Sequence, residues 1–263
     1  MIIDGASIVI TGAGNGIGRA LAKRFAAENA RAIALMDIDG DNAQAVAAEI
    51  GGIAYTVDVT DEDAYRKALD AFATEYGPID LLCSNAGIAV GGGPEASNAD
   101  WERCWQVNVM SHVYGARAVL PSTIERRSGY LLQTVSAAGL LNNIGAMPYA
   151  VTKHAAIGLA EWLHMTYGHL GLKVSCLCPQ GVYTNMLDSA DALRPLLEQG
   201  AISTEVVADA TVEGLRAESF LILPHPEVGN YLQFKAGQYD RWLTAMQGLQ
   251  AQFKLDPAWP SVN

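Results

Sequence analysis

Short apolar, β-branched runs alternate along this chain with longer segments in which apolar residues recur at helical spacing. The first run, residues 7–11, leads directly into a helical pattern over residues 16–29. Further strands are predicted at residues 32–37, 54–57, 79–84, 130–135, 173–178 and 220–223. Further helices are predicted at residues 41–50, 61–76, 98–121 and 148–170, and from about residue 205. This order predicts a parallel sheet of about seven strands with helices on both faces, because each parallel connection needs a crossover.

No linker, repeat or low-complexity segment interrupts the pattern, so we expect one doubly wound α/β domain over residues 1–263. Residues 183–218 would form a variable lid, because loops at strand ends carry specificity and can close over a ligand. Residues 224–263 would form a C-terminal extension that packs on its own domain or on a neighbour. Its tail, residues 257–260, would be frayed or docked on another subunit. The apolar face of the extension consists of Tyr231, Phe234, Gln238, Trp242, Met246, Leu249 and Phe253.

A glycine-rich turn joins the first strand to the first helix. Its sequence is Thr11-Gly12-Ala13-Gly14-Asn15-Gly16-Ile17-Gly18. Glycines let a backbone turn sharply and approach a pyrophosphate, whose charge is bound by free N–H groups at the helix N-terminus. A glycine triplet alone also fits an ordinary strand–helix turn. Its position between a strand and a helix favours a Rossmann-like dinucleotide site.

An acidic residue, Asp37, ends the second strand about 20 residues after the glycines. A carboxylate there can accept hydrogen bonds from the adenosine ribose hydroxyls, and it repels a 2′-phosphate. Neither Asn15 nor Ile38 is a basic residue that would bind that phosphate. The sequence therefore predicts NAD, with a solvated loop acid as the alternative explanation. Asp58-Val59 and Asn85-Ala86-Gly87 end the third and fourth strands, so we expect them in the same ligand-binding layer.

Three residues in the second half could carry chemistry: Ser136 just past the fifth strand, and Tyr149 and Lys153 on the following helix. Residues one helical turn apart share a face, so Lys153 would lie beside Tyr149. A nearby ammonium stabilises a phenolate and lowers the pKa of a tyrosine toward a value useful for proton transfer. A Tyr-xxx-Lys pair alone is common on surfaces. Its position after the glycine turn and Ser136 makes the pattern specific.

Together these motifs resemble the short-chain dehydrogenase/reductase family in its compact single-domain form. The resemblance implies that Tyr149 is the general acid/base, that Ser136 binds the substrate oxygen, and that Lys153 binds the nicotinamide ribose and lowers the Tyr149 pKa. It also implies that Asn108 holds a water of a proton relay, and that the protein is a homotetramer or homodimer. The matching motifs cover roughly residues 5–186, in family order: Thr11 to Gly18, Asp58-Val59, Asn85-Ala86-Gly87, Asn108, Ser136 and Tyr149-Ala150-Val151-Thr152-Lys153.

The chain departs from the family pattern after the sixth strand. The family commonly has Pro-Gly there, followed by an apolar residue and then Thr. Here Pro179, Val182 and Thr184 fit, and the resemblance implies that Thr184 binds the nicotinamide carboxamide. Gln180 stands in place of the glycine, and Gly181 could supply the backbone freedom that is lost.

The predicted site therefore has two parts. The cofactor-binding set is Gly12, Asn15, Gly16, Ile17, Gly18, Asp37, Ile38, Asp58, Val59, Asn85, Ala86, Gly87, Tyr149, Lys153, Pro179, Gly181, Val182 and Thr184. The substrate set is Ser136, Leu141, Asn142, Tyr149, Gln180 and Met186. Since the substrate segments are mostly apolar, a hydrophobic or aromatic secondary alcohol is favoured over a phosphorylated or strongly acidic one. Core packing explains several of these residues equally well.

Composition limits the remaining classes. A net charge of −11 disfavours a nucleic-acid partner, because phosphate binding needs clustered Lys and Arg. Cys83, Cys104, Cys176 and Cys178 lack metal-ligand spacing, so we predict no metal site, and core packing for the last two. No apolar run approaches the roughly 18 residues of a membrane span. The first strand begins too early for a preceding signal sequence, so we expect a cytoplasmic protein.

The sequence thus predicts an NAD-dependent oxidoreductase that interconverts a secondary alcohol and a ketone. Two alternatives stay open. The first is an NADPH-dependent ketone reductase, which Asp37 opposes. The second is a catalytically silent dinucleotide-binding protein that acts as a sensor or scaffold, which the set of Asn108, Ser136, Tyr149 and Lys153 opposes.

Overall fold

The apolar runs of the sequence form strands buried on both faces, as a sheet covered by helices requires. The computed structural model describes residues 1–190 and 194–253. Within these ranges one parallel sheet has the strand order β3-β2-β1-β4-β5-β6-β7. The predicted Rossmann-like doubly wound fold is confirmed. The strands are β1 (Ser7–Thr11), β2 (Ala32–Asp37), β3 (Ile53–Thr56), β4 (Leu81–Ser84), β5 (Gly129–Thr134), β6 (Leu172–Leu177) and β7 (Leu221–Ile222).

Helices connect successive strands, and several begin at a side-chain cap. Asp39, Asp61, Ser97 and Ser203 each accept a hydrogen bond from a first-turn amide, which stabilises those helix starts. The helices are α1 (Gly16–Ala27), α2 (Gly40–Ile50), α3 (Glu62–Tyr76), α4 (Asn98–Trp105), α5 (Ser111–Arg126), α6 (Ala138–Leu141), α7 (Met147–Tyr167), α8 (Asn185–Asp188), α9 (Arg194–Leu197), α10 (Thr204–Ala217), α11 (Glu227–Gly237) and α12 (Tyr239–Phe253).

Two hydrophobic layers cover the sheet, one on each face. One contains Phe25 of α1 together with residues of α2 and α10, and the other contains Phe72 of α3 together with residues of α5 and α7. Cys176 and Cys178 are free, buried and in the same layer, so the prediction that they pack in the core is confirmed. Within the described ranges, no helix has both the length and the apolar character needed to cross a membrane.

The helix predicted to end at Pro121 continues to Arg126. Pro121 is exposed, so the missing N–H weakens a solvent-facing part of the helix, while tertiary contacts hold the last turn. Thr123 is buried, and the Arg126 guanidinium donates to the Ile79 carbonyl at 2.9 Å. The predicted helix end at Pro121 was wrong, because tertiary packing of the last turn outweighs the helix-breaking effect of the proline.

Part of the apolar face of the C-terminal extension packs on its own domain, through Phe234, Trp242 and Met246, whereas Tyr231 is 43% exposed. The extension divides into α11 and α12 at Gln238, whose φ of −144° and ψ of 59° end the helical path. Trp242 is buried in the core layer and contacts the rings of Tyr231 and Phe234. The predicted tail at residues 257–260 lies outside the described residues.

The strand order reverses between β1 and β4. From β1 the chain winds outward to β2 and β3, and from β4 it winds the other way to β7. Ligands of open α/β sheets bind in the crevice that such a reversal opens at the carboxyl ends of the strands. The glycine turn after β1 and the segment after β4 both lie at this edge.

Candidate active site

The glycine turn after β1 is packed so closely that side chains would not fit. A Cβ on Gly12, which has a φ of +63°, would lie 2.9 Å from Ala86 Cα. A Cβ on Gly18 would lie 2.1 Å from the Gly12 carbonyl oxygen. Gly16, where α1 begins, also has a positive φ of 52°. The backbone is therefore free to approach a ligand at the start of α1, whose first-turn N–H groups lack partners within the helix.

Asn85 holds this turn against the end of β4. Its side-chain amide donates to the carbonyls of Thr11 and Gly12 at 3.0 and 3.2 Å. The Thr11 hydroxyl in turn accepts from the backbone N–H groups of Asn85 and Ala86 at 2.9 and 3.0 Å. In this structure Asn85 therefore shapes the predicted cofactor site through the glycine turn.

Asp37 lies beside the same turn. One carboxylate oxygen accepts from the Gly14 N–H at 2.8 Å, and the other accepts from the Asp39 N–H at 3.0 Å. Only 8% of Asp37 is exposed, which fixes the carboxylate at the end of β2 rather than in a solvated loop. The remaining lone pairs can accept ribose hydroxyls, and the negative charge faces any phosphate bound there.

The other predicted adenosine-side residues surround this edge. Asn15 occupies the N-cap position of α1 without a side-chain capping bond and is exposed, and Ile38 is 70% exposed after β2. Asp58 is exposed and accepts hydrogen bonds from the Thr60 N–H and hydroxyl at 2.9 and 2.7 Å. Val59 beside it is buried. An apolar surface and an ordered loop thus follow β3.

The residues present fit an extended dinucleotide. A Cβ on Gly16 would lie 3.2 Å from Thr184 Cγ2, so the loop after β6 reaches the glycine turn. A Cβ on Gly87 would lie 3.4 Å from Lys153 Nζ. Glycines therefore lie at both ends of this edge, Gly16 at the start of α1 and Gly87 beside Lys153. A chain of phosphate and sugar groups could pass close to the backbone at both positions.

The loop after β5 is joined to the loop after β6 at Ser136. The Ser136 hydroxyl donates to the Pro179 carbonyl at 3.4 Å and accepts from the Ala138 N–H at 3.1 Å. Tyr149, in the first turn of α7, is partly buried and interacts with the same hydroxyl. The structure therefore brings Ser136 and Tyr149 together, as the sequence predicted.

Lys153 lies one turn further along α7. It is 3% exposed, its Nζ donates to the Thr134 carbonyl at 3.0 Å, and it lies 5.6 Å from the centroid of the Tyr149 ring. Burial lowers the Lys153 pKa to about 8. An amine buried this way exchanges its proton near neutral pH, which suits a group that takes part in proton transfer.

The pKa of Tyr149 differs from the sequence expectation. Burial raises it above its ordinary value, and the interaction with Ser136 lowers it only in part. The predicted lowering by Lys153 is wrong for this structure: burial has the largest effect on the Tyr149 pKa, because removing a phenolate from water costs free energy. Lys153 itself is desolvated and donates to Thr134. Positive charge brought by a ligand would have to supply the rest of the shift.

Asn108 is fully buried in a π-helical turn, Gln106–Met110, between α4 and α5. Its amide donates to the Ile88 carbonyl and the Thr152 hydroxyl, both at 3.0 Å, and its oxygen accepts from the Ile88 N–H at 2.9 Å. The side chain therefore braces α7 against the loop after β4. The side-chain amide is thus bonded to protein partners, and the water-holding role that the resemblance implies for Asn108 stays a prediction.

Two neighbours of Lys153 were not predicted from the sequence. His112 of α5 and Gln133 of β5 form a buried pair, with Nδ1 and Oε1 3.3 Å apart. Burial, with a smaller effect of Lys153, lowers the His112 pKa to about 3. His112 is therefore neutral, and Lys153 is the charged group beside Tyr149. The sequence signal that could have found this pair was His112 itself, a polar residue within an otherwise apolar face of α5.

The predicted substrate residues lie in different environments. Leu141 is 7% exposed and belongs to the core layer, so its side chain packs as the alternative explanation held. Asn142 is exposed with a φ of 76°, and Met186 is 42% exposed on α8. Gln180 turns its side chain to Glu227 of α11. Asn142 and Met186 thus stay available to a ligand, whereas Leu141 and Gln180 are engaged within the protein.

Known proteins resemble this chain over most of its length. The family model described as short chain dehydrogenase matches residues 6–194. The 1-deoxy-11-beta-hydroxypentalenate dehydrogenase of Streptomyces exfoliatus is 33% identical over 228 residues, 83% of this chain and 82% of that protein. The meso-2,3-butanediol dehydrogenase of Serratia marcescens is 35% identical over 190 residues, 71% and 75% of the two chains. A solved short chain dehydrogenase/reductase from Burkholderia phymatum, in complex with NAD, has a TM-score of 0.84 at 26% identity, with both chains fully covered.

The fold and the site define a dinucleotide-dependent oxidoreductase. One edge of the parallel sheet carries the whole site: the glycine turn at the switch point, Asp37 beside it, and the group of Ser136, Tyr149 and Lys153. With the family match, the chain belongs to the short-chain dehydrogenase/reductase family. It is an oxidoreductase of CH–OH groups with a nicotinamide dinucleotide as cofactor.

Proposed function

We propose that the protein is an NAD-dependent dehydrogenase of a hydrophobic or aromatic secondary alcohol. The observation that supports it most is the group after β5 and on α7, in which Ser136 and the buried Lys153 flank the partly buried Tyr149. The nearly buried Asp37 beside the glycine turn supports NAD over NADP. Of the predicted lid at residues 183–218, the part with α8 and α9 would cover the substrate, whereas α10 packs in the hydrophobic layer beside α1 and residues 191–193 lie outside the described residues.

Tyr149 would take the hydroxyl proton of the alcohol, and return it to the ketone oxygen in the reverse direction. Ser136 would donate a hydrogen bond to the same oxygen and hold it beside the phenol. Lys153 would stabilise the phenolate and bind the nicotinamide ribose. The dinucleotide, when bound, would supply the hydride acceptor, and Pro179, Val182 and Thr184 would hold its nicotinamide.

The preference for NAD is expected to depend on the charge of Asp37. Like charges a few ångströms apart cost on the order of 1 to 4 kcal/mol, so kcat/KM for NAD should exceed that for NADP about tenfold or more. Asp37→Asn removes the charge but keeps an acceptor for the Gly14 N–H, so the ratio should fall toward one. The measurement is kcat/KM for both cofactors in each enzyme.

The matched control is Asp41→Ala, which removes an exposed carboxylate from the first turn of α2. Its NAD-to-NADP ratio should stay close to that of the wild type. Equal use of NAD and NADP by the wild-type protein would rule out the NAD preference, and higher kcat/KM for NADP would favour the NADPH-dependent ketone reductase.

The substrate class is tested by one activity screen. Hydrophobic and aromatic secondary alcohols should be oxidised with NAD at higher kcat/KM than phosphorylated or strongly acidic alcohols of similar size, because Met186 and Tyr183 expose apolar surface beside the site. A preference for acidic or phosphorylated alcohols would contradict the proposal.

Assembly is a further expectation. The helices that flank the site expose Trp105, Val151, Trp162 and Met165, at 39, 41, 53 and 71%. Large apolar residues that are exposed on a monomer favour contact with another copy. We expect light scattering to give a dimer or tetramer of the 27.9 kDa chain, and Met165→Glu to shift it toward smaller species. Ile2→Glu, 80% exposed, is the control. A monomer at micromolar concentration would contradict this expectation.

A further inference from the structure

The residue that departs from the family pattern, Gln180, is bonded to the C-terminal extension through both its backbone and its side chain. Its backbone N–H donates to His225 Nδ1 at 3.1 Å, and its side-chain amide donates to Glu227 Oε1 at 2.6 Å. Glu227 is the first residue of α11. The loop that follows β6 is therefore attached to the segment that joins β7 to α11.

The hydrogen bond to His225 defines the state of that ring. Nδ1 accepts a backbone N–H, so it carries no proton, and in the neutral ring Nε2 carries it. His225 is 3% exposed, and its Nε2 has no hydrogen-bond partner among the described residues. Losing the acceptor at Nδ1 would leave the Gln180 N–H without this partner in a half-buried position.

On its other side, the same loop is bonded to the reactive group. The Pro179 carbonyl accepts from the Ala137 N–H at 2.8 Å and from the Ser136 hydroxyl at 3.4 Å. The Gly181 carbonyl accepts from the Ile202 N–H at 3.2 Å. Gln180 thus lies between two backbone positions that are already fixed, and its own two bonds point to the extension.

The far end of α11 is attached as well. Lys235 donates to the carbonyl of Leu140 in α6 at 2.6 Å. The extension therefore bonds both to the loop after β6 and to α6, the segment that follows Ser136. These two segments are separate in sequence but adjoin the same reactive group.

We propose that Gln180, His225 and Glu227 are positioning residues that hold the loop from Pro179 to Thr184 in place for the nicotinamide. The identity of that ligand rests on the proposed function. A glycine at residue 180 would leave the loop more backbone freedom and no side-chain bond. Gln180 instead fixes the loop before the ligand binds, which reduces the entropy that binding must remove.

Two ligands distinguish effects at the nicotinamide end of the site from effects at the adenosine end. NADH contacts the whole site, whereas ADP-ribose lacks the nicotinamide. Glu227→Ala and His225→Phe each remove one bond, and each should weaken NADH binding about three- to tenfold while changing ADP-ribose binding less than about twofold. Glu227→Gln and His225→Asn keep an acceptor oxygen near the same position, and should recover most of the NADH affinity. Dissociation constants come from fluorescence titration or calorimetry, with thermal unfolding as a check on the fold.

Gln180→Ala adds an independent test, because it keeps the backbone N–H and loses the side-chain bond without the added backbone freedom of a glycine. It should weaken NADH binding as Glu227→Ala does, and the Gln180→Ala/Glu227→Ala double variant should be no weaker than the Gln180→Ala single variant, since both changes remove the same bond. Equal weakening of NADH and ADP-ribose, or unchanged NADH affinity in all variants, would overturn the inference while leaving the proposed function intact. A wild-type protein that binds neither ligand would overturn both.

Discussion

Tyr149→Phe is expected to remove nearly all alcohol oxidation and leave the fold intact. The change deletes one oxygen atom from a partly buried side chain, so the helix and its packing keep their shape. Without that oxygen, the group proposed to take the hydroxyl proton is gone. Loss of general acid/base help lowers rates about 10²- to 10⁴-fold, and loss of a coupled set lowers them further. The measurement is kcat at saturating cofactor and alcohol.

Two controls make this result specific. Tyr239→Phe, at a side chain 55% exposed on α12, removes the same oxygen elsewhere and should leave kcat unchanged. Tyr149→Phe should still bind NADH, because the glycine turn and Asp37 are untouched. Near-normal turnover by Tyr149→Phe would show that another residue is the base. A wild-type protein that binds NADH but turns over no alcohol in the panel would favour the silent sensor or scaffold.

The fold was largely predictable because the sheet is buried on both faces. In β1 and β2 every residue is buried, so the apolar runs gave the bounds Ser7–Thr11 and Ala32–Asp37 directly. The bounds of the other strands differ from the predicted bounds by one or two residues. Half-buried positions at the strand ends, such as Ile53 in β3, make those ends less clear from the sequence. Pro121 shows the limit of local rules, since the turn after it is stabilised by contacts with a distant strand end.

The reactive group was predictable for a related reason. Ser136 directly follows β5, and Tyr149 and Lys153 lie one turn apart on one face of α7, so short-range geometry brings the three together. The hydrogen bonds of Asn108 and Gln180 were not predictable, because their partners are distant in sequence. Asn108 bonds to Ile88 and Thr152, and Gln180 bonds to His225 and Glu227. Such bonds depend on how elements pack, which hydrophobic spacing does not specify.

Burial acts on Tyr149 and Lys153 in opposite directions, and this sets the expected pH dependence. It raises the pKa of the phenol and lowers that of the amine to about 8, because each charge is unfavourable away from water. An ammonium beside a phenolate forms a pair without net charge, so the first proton lost from the pair can come from either group. Oxidation needs the phenolate form of Tyr149, so its rate should increase with pH over the range in which the pair loses its first proton. Reduction needs the protonated phenol and should slow over the same range.

Lys153→Met is expected to shift the oxidation profile to higher pH and to slow the reaction at pH 7. Without the ammonium, the phenolate must form alone in a partly buried site, where burial already raises the Tyr149 pKa above its ordinary value, so the reactive phenolate fraction at pH 7 falls further. Lys67→Met, which removes an exposed charge on α3, is the control and should leave the profile unchanged. The measurement is kcat from about pH 6 to about pH 11, a range that spans the ordinary pKa values of His and Lys. An isotope effect with deuterated alcohol must first show that chemistry limits the rate. If Lys153→Met then kept the wild-type profile, the charge beside Tyr149 would not be what makes this phenol a base.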